Sequence, residues 1–108
     1  MVTQNKVYPL DKGCTILGSF EQLPEVEVGS CDIDGEAIVL SFTDGLTDLK
    51  NEEGDYFSED MLYAFTAENY RLSAKALNQK LMEQIEVFKG SQAYPDDFTV
   101  LTCKIFAP

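Results

Sequence analysis

Residues 37–48 of the chain read AIVLSFTDGLTD, an apolar run followed directly by the acidic turn Thr43-Asp44-Gly45. A second acidic turn, PDDFT at residues 95–99, stands directly before the apolar run VLTCKIF at residues 100–106. Short apolar runs bounded by turn residues are typical of strands, and the first run predicts a central strand covered on both faces. Because a rigid sheet fixes a residue at a strand end, the two turns together predict a divalent-metal site.

Each acidic turn taken alone has a simpler explanation. Asp and Gly favour turns through side-chain hydrogen bonds and positive φ angles, without any ligand. The metal hypothesis therefore depends on the two turns occurring together, each at the end of a strand and separated by a helical segment.

The charge of the chain limits its partners. The 108 residues carry a net charge of -11 at pH 7 and include no histidine, and their number suits one domain, 1–108. So acidic a chain is not expected to bind nucleic acid or an anionic membrane, which need a basic surface. Divalent cations could offset part of the charge, and a solvated acidic surface that maintains solubility is the alternative. Without histidine, this chain alone supports no Ser-His, Cys-His or His-metal mechanism.

The cysteines and the hydropathy pattern indicate a cytoplasmic protein. The chain has an odd number of cysteines, and their spacing matches no zinc motif; they are Cys14, Cys31 and Cys103. We therefore expect reduced, buried thiols. No stretch resembles a signal peptide or approaches the length of a membrane span.

The predicted elements run as strands, two helices and a final strand, an order typical of an α+β layer fold. Residues 1–6 are expected to be frayed, and short strands are predicted at residues 7–10 and 25–28, the second leading into a turn at residues 34–35. The last strand is predicted to span residues 98–106.

Two serines predict where the helices begin. Ser58 and Ser73 are suitable N-caps, and Gly90 is a natural C-terminal stop for the second helix. Within that helix one apolar stripe recurs at helical spacing, which favours packing against the sheet over a groove for a partner; it consists of Leu77, Leu81, Ile85 and Phe88.

The acidic turns and the segments between them resemble a known family. Residues 38–48 resemble the strand, Thr/Ser-Asp-Gly and acidic-residue segment of the metal-dependent protein phosphatases (PPM, or type 2C). The most similar branch is the bacterial one typified by the stage II sporulation protein E and RsbU phosphatases. Residues 51–58 resemble the family's loop into a short helix, and residues 96–101 its closing Asp-Asp/Asn-x-Thr segment. The resemblance covers roughly residues 10–105.

The resemblance implies half of an antiparallel phosphatase β-sandwich, with two helices packed on one face. It implies that Asp44 and Asp96 bind Mn²⁺ or Mg²⁺ directly, and that Gly45 lets the backbone approach the metal-bound waters. Asp97 and Asp48 would support the ligands or their turns. Two ions about 3.5–4 Å apart would activate a water that attacks phosphoserine or phosphothreonine, so no catalytic side chain is needed.

The chain resembles only the C-terminal half of the family's domain. The N-terminal half of the family supplies further aspartate ligands, and none has a counterpart here, so we expect this chain alone to be inactive. The expected partners are that missing half, an upstream sensor or receiver domain, and a phosphorylated regulatory protein of the anti-sigma-factor antagonist type. A homodimer is also expected, because residues 38–42 are too apolar to face water.

Two other functions stay open at this point. One is a non-catalytic regulatory or docking module that keeps the phosphatase-like fold. The other is an acidic binding protein without metal chemistry.

Overall fold

One antiparallel sheet organises the computed structural model, which describes residues 1–3, 6–12, 21–22, 26–33 and 35–106. Within these residues the sheet has four strands in the spatial order β2-β1-β3-β4. They are β1 (Val2–Thr3), β2 (Lys6–Val7), β3 (Glu36–Phe42) and β4 (Val100–Phe106). The sheet is combined with helices α1 (Asp44–Thr47), α2 (Glu59–Asn69) and α3 (Ala74–Lys89), which confirms the predicted α+β fold.

The pairing of β3 with β4 places the two acidic turns side by side. The register runs from Glu36 opposite Phe106 to Phe42 opposite Val100. Because the two strands are antiparallel, the residue that follows β3 lies beside the residue that precedes β4. These residues are Thr43 and Thr99, which belong to the first and second acidic turns.

The serine caps predicted from the sequence are confirmed. The Ser58 hydroxyl accepts a hydrogen bond from the Met61 backbone N–H at 3.3 Å, and the Ser73 hydroxyl accepts one from Ala76 N–H at 3.1 Å. Each bond satisfies one of the backbone donors left free in the first helical turn. Gly90 ends α3 with a φ of +58°, a backbone conformation that favours glycine.

The core lies between the sheet and the helices. Ile38 is fully buried within the same apolar cluster as α2 and α3, and Leu40 and Phe42 pack against that cluster. Alternate residues of a strand share a face, so α2 and α3 cover one face of the sheet, as predicted. The predicted stripe of α3 is part of this core: three members are fully buried and the fourth, Phe88, is partly buried; the three are Leu77, Leu81 and Ile85.

The N-terminal residues differ from the prediction of a frayed segment. Val2–Thr3 forms β1, which pairs with β2 on one side and with residues 37–38 on the other. Val2 is only 4% exposed, because the short hairpin covers the edge of β3 that β4 leaves free. The predicted strand at residues 7–10 is also shifted, since β2 ends at Val7. Residues 4 and 5 lie outside the described part of the chain.

The predicted strand at residues 25–28 is wrong where the structure describes it. Val26 forms a single bridge and is 54% exposed, and Val28 is 87% exposed. Alternation of charged and apolar residues predicts a strand only where one face becomes buried. Here the apolar residues, Val26 and Val28, both stay exposed to solvent. Of the turn predicted at residues 34–35, Gly35 has a positive φ of +84°, while residues 25 and 34 lie outside the described residues.

Three further predictions need correction. Strand β3 is covered on both faces only at Ala37 and Ile38, because Val39 is half-buried and Ser41 is exposed. The last strand begins at Val100 rather than at residue 98. The thiols predicted to be buried are exposed at Cys31 and Cys103, while Cys14 lies outside the described residues.

The face of β3 from which a homodimer was expected is covered in the structure. Ile38 and the residues that share its face are turned toward the helices rather than toward water. Leu101, which pairs with Ser41 on the opposite face, is 61% exposed. The homodimer stays a prediction.

Within the described ranges, no helix has the length and apolar character needed to cross a membrane.

Candidate metal centre

Two hydrogen bonds join the first acidic turn to the second. The Thr43 backbone N–H donates to the Thr99 carbonyl at 3.1 Å, and the Thr99 N–H donates to the Thr43 hydroxyl at 2.9 Å. The first bond extends the β3–β4 pairing by one residue, and the second adds a side chain to it. The two turns therefore form one continuous structure at one end of the sheet.

Gly45 brings the same two turns into van der Waals contact. It is buried, and a Cβ atom placed on it would lie 3.0 Å from the Asp97 carbonyl carbon, 3.1 Å from Phe98 Cβ, and closer still to the Asp97 carbonyl oxygen. The contact with the Asp97 carbonyl oxygen is shorter than Cβ atoms make in proteins, so any residue but glycine would force the two turns to shift. The expected role of Gly45 beside metal-bound waters stays a prediction, whereas its contact with Asp97 is a feature of the fold.

The Thr43-Asp44-Gly45 segment begins a helix rather than forming a simple turn. Asp44 is the first residue of α1, and its carbonyl accepts a hydrogen bond from Asp48 N–H at 2.9 Å. The Asp44 side chain is exposed and lies in the first turn, where a carboxylate complements the helix dipole. Asp48 follows at the C-terminal end of the same helical turn and is also exposed.

Asp96 and Asp97 lie on an exposed loop before β4. One Asp96 carboxylate oxygen accepts a hydrogen bond from the Asp97 backbone N–H at 2.8 Å, and Asp96 as a whole is exposed. The backbone of Asp97 contacts Gly45, so the loop is placed directly against the residue that follows Asp44. Of the predicted residues, Asp44, Gly45 and Asp97 thus belong to segments in contact, Asp96 is adjacent in sequence, and Asp48 is one helical turn away.

The donors at this end of the sheet suit a hard divalent cation only in part. Carboxylate oxygens are the ligands that Mg²⁺ and Mn²⁺ prefer, and Asp44 and Asp96 are exposed and able to provide them. Among the residues that the structure describes, however, no group of three or more acidic or cysteine side chains is arranged to hold a metal ion. Asp44 and Asp96 therefore fit as part of a ligand set that other protein groups or water would complete.

A groove runs beside the second acidic turn. It has a volume of about 530 Å³ and lies between α3 and the loop that precedes β4. Tyr94 packs its ring 5.6 Å from that of Phe98 and hydrogen-bonds to Glu86 of α3, so the loop is held along the groove. The lining residues are Asn78, Leu81, Met82, Tyr94, Asp96, Asp97, Phe98 and Val100.

Sequence reasoning missed the threonines that join the two turns. Thr43 and Thr99 belong to the two acidic turns, and the metal hypothesis assigns them no function. The signal was present: one threonine ends each strand on the side of its aspartates, and a hydroxyl there can accept a hydrogen bond from the neighbouring strand. Tyr94 gave no comparable signal, because its position in a loop before Pro95 fits an exposed turn equally well.

The α+β fold is consistent with part of a PPM-type phosphatase domain. A family model described as "Stage II sporulation protein E (SpoIIE)" matches residues 1–106. The chain belongs to this family of PPM-type phosphatases, as the resemblance of its motifs implied. Neither the curated proteins nor the solved structures gave a match to the chain.

Proposed function

We propose that this chain forms part of the catalytic domain of a Mn²⁺- or Mg²⁺-dependent protein phosphatase that hydrolyses phosphoserine or phosphothreonine on a bacterial regulatory protein. The contact between Thr43-Asp44-Gly45 and residues 97–99 carries the proposal. It brings two acidic segments, distant in sequence, to one end of a rigid pair of strands.

In this proposal Asp44 and Asp96 each provide carboxylate oxygens to a divalent ion. When bound, such ions supply Lewis-acid activation of water and neutralise charge on the phosphoryl oxygens. The chain's own residues hold the carboxylates in place. Thr43 bonds the end of β3 to the residue before β4, and Gly45, which has no side chain, leaves room for the Asp97 backbone. Asp97 and Asp48 support the turn and the helix that carry the ligands.

Ligand counting supports a domain completed by other protein segments. Mg²⁺ keeps its hydration shell unless several protein oxygens are preorganised around it, and two carboxylates give weak binding. We therefore assign the remaining ligands to the N-terminal half of a phosphatase domain, and expect no turnover from the 108 residues alone. A cytoplasmic location, an attached sensor or receiver domain, and a substrate of the anti-sigma-factor antagonist type belong to the same proposal.

The test is phosphopeptide hydrolysis with Mn²⁺ by the 108-residue chain and by a complete domain in which the N-terminal half of a family member is supplied. We expect activity only from the complete domain. In it, Asp44→Asn or Asp96→Asn should remove most of the activity, because each replaces a charged ligand with a neutral amide. Asp55→Asn is the matched control, since it removes an exposed carboxylate from a turn outside the site. A fully active Asp44→Asn domain would contradict the ligand assignment.

A second function, a non-catalytic docking or regulatory module, is favoured by one observation. The described residues contain no group of three potential ligands, so no complete metal site lies within them. Calorimetry with Mn²⁺ separates the two functions. Binding that appears when the N-terminal half is supplied supports the phosphatase, whereas no binding in either case supports the module or an acidic protein without metal chemistry.

A further inference from the structure

Glu52, in the turn before α2, forms hydrogen bonds with Ser91, the residue that follows the Gly90 C-cap of α3. One carboxylate oxygen of Glu52, Oε1, accepts hydrogen bonds from the Ser91 backbone N–H at 2.8 Å and from the Ser91 hydroxyl at 2.7 Å. Both distances are typical of strong hydrogen bonds to an ionised acceptor. The two residues are 39 positions apart, so the contact is tertiary rather than part of a local turn.

Gly90 makes room for this contact. A Cβ atom on Gly90 would lie 2.7 Å from Glu52 Oε1 and 3.0 Å from its Cδ, so the carboxylate fills the space that a side chain would need. The positive φ of Gly90, +58°, also turns the chain so that the next N–H points at the carboxylate. The helix stop and the glutamate are thus fitted to one another.

The turn that carries Glu52 is itself braced. The Asn51 side-chain oxygen accepts hydrogen bonds from the backbone N–H groups of Glu53 and Asp55, at 3.0 and 2.9 Å. The Asn51 N–H donates to the Asp55 carbonyl at 2.9 Å, which closes the turn. Glu52 therefore contacts Ser91 from a turn with its own network of hydrogen bonds.

The loop at residues 91–99 is consequently fixed at both ends. Glu52 holds its first residue, Ser91, and Thr43 holds its last residue, Thr99. Between these two points lie Asp96 and its neighbour, the acidic residues of the second turn. Tyr94 adds a contact between these ends, through its hydrogen bond to Glu86 and its ring packing on Phe98. Without Glu52, the start of the loop before Tyr94 would sample more conformations, at an entropic cost to any ligand that needs one of them.

We infer that Glu52 is a positioning residue, which fixes the loop at residues 91–99 through Ser91 and so presents Asp96 in one arrangement. The part of this inference that concerns Asp96 rests on the proposed metal site. The part that concerns the loop does not, and it can be measured without metal.

The experiment compares the full chain with three variants by amide hydrogen exchange at Ser91, Gln92 and Asp97, whose backbone N–H groups are hydrogen-bonded. In Glu52→Ala we expect exchange to rise by about tenfold, the effect of losing charged hydrogen bonds from an ordered loop. Glu52→Gln keeps an oxygen that can accept both bonds from Ser91, so it should restore most of the protection. Glu53→Ala is the control, because no hydrogen bond or ion pair of the Glu53 side chain occurs within the described ranges; its exchange should match the wild type. Thermal unfolding of all four proteins tests whether the effect is confined to the loop.

A second measurement addresses the metal. Mn²⁺ titration of the complete phosphatase domain should show affinity reduced by about threefold or more in Glu52→Ala and unchanged in Glu53→Ala. Wild-type exchange in Glu52→Ala would overturn the inference whatever the metal result. A loosened loop with unchanged Mn²⁺ affinity would overturn the role toward Asp96. No Mn²⁺ binding by the wild-type domain would overturn the proposed function instead, while the exchange result still decides the role of Glu52 in the loop.

Discussion

Thr43 and Thr99 exchange two hydrogen bonds, and through them the two acidic segments of the chain become one structural unit. The Thr43 N–H donates to the Thr99 carbonyl, and the Thr99 N–H donates back to the Thr43 hydroxyl rather than to a carbonyl. A backbone ladder continued by a side chain allows β3 to leave the sheet at Thr43 and begin α1 at once. The backbone N–H of Thr99, just before β4, therefore keeps a hydrogen-bond partner although the chain turns away into α1.

Replacing Thr43 with valine should loosen the junction between the turns. Valine keeps the branched shape but lacks the hydroxyl that accepts from Thr99 N–H. Both residues are exposed, so water replaces part of the lost bond and we expect a destabilisation of about 0.5–1.5 kcal/mol. The measurement is urea unfolding together with exchange of the Thr99 amide. Thr43→Ser keeps the hydroxyl and should behave like the wild type; equal loss of Thr99 protection in both variants would contradict the assigned bond.

Gly45→Ala should displace the second acidic turn. The added methyl group meets the Asp97 backbone and Phe98 Cβ, and overpacking of this kind costs about 1–3 kcal/mol. Gly54→Ala provides a control of a different type: its φ of +87° makes alanine unfavourable by about 1–2 kcal/mol, but no atom lies within 4 Å of the new methyl group. Both variants should lower the melting temperature, whereas only Gly45→Ala should shift the NMR signals of residues 96–99. Unshifted signals there would contradict the close contact.

The sequence was sufficient for the elements that have a local chemical signature. Ser58 and Ser73 bond to backbone N–H groups three residues away, and the apolar stripe of α3 needs only a helical period. Both features can be recognised without knowing the rest of the fold. The two acidic turns were also recognised, because each stands beside a strand with a strong apolar pattern.

What the sequence did not predict depends on contacts between distant segments. Val2 reads as part of a polar terminus, yet it is buried because β3 needs a neighbour on the edge opposite β4. Val28 has the pattern of a strand residue, yet it is exposed because none of the elements in the described part of the chain covers it. The bond between Glu52 and Ser91 joins residues 39 positions apart, and neither residue type indicates its partner.

Leu81→Ala tests whether the predicted stripe of α3 is the core of the fold. Leu81 is 1% exposed within the cluster formed by the helices and β3, so its truncation leaves a cavity. We expect a loss of about 2–5 kcal/mol, a large part of the stability of a domain of this size. Val87→Ala on the same helix is the control, because Val87 is 83% exposed and its change should stay within about 0.5 kcal/mol. Chemical denaturation measures both, and similar losses would show that α3 is packed differently.

The bond between Glu52 and Ser91 should make the loop at residues 91–99 sensitive to acid. The Ser91 hydroxyl, and then the Ser91 backbone N–H, lower the pKa of Glu52 below its ordinary value of 4.5 by bonding to the ionised carboxylate. A carboxyl whose pKa is lowered by folding stabilises the folded state above its unfolded value, and loses that contribution as the pH falls through its folded value. The loop should therefore keep its protection at pH 6 and lose it progressively below about pH 4.5.

Because the chain carries 19 acidic residues that also titrate, the informative quantity is the difference between the wild type and Glu52→Gln, measured by the NMR shift of the Ser91 amide. The wild-type shift should follow a titration with a pKa below 4.5, and the variant should show none of that transition. An identical acid transition in both proteins would mean that another carboxyl, and not Glu52, controls the start of this loop.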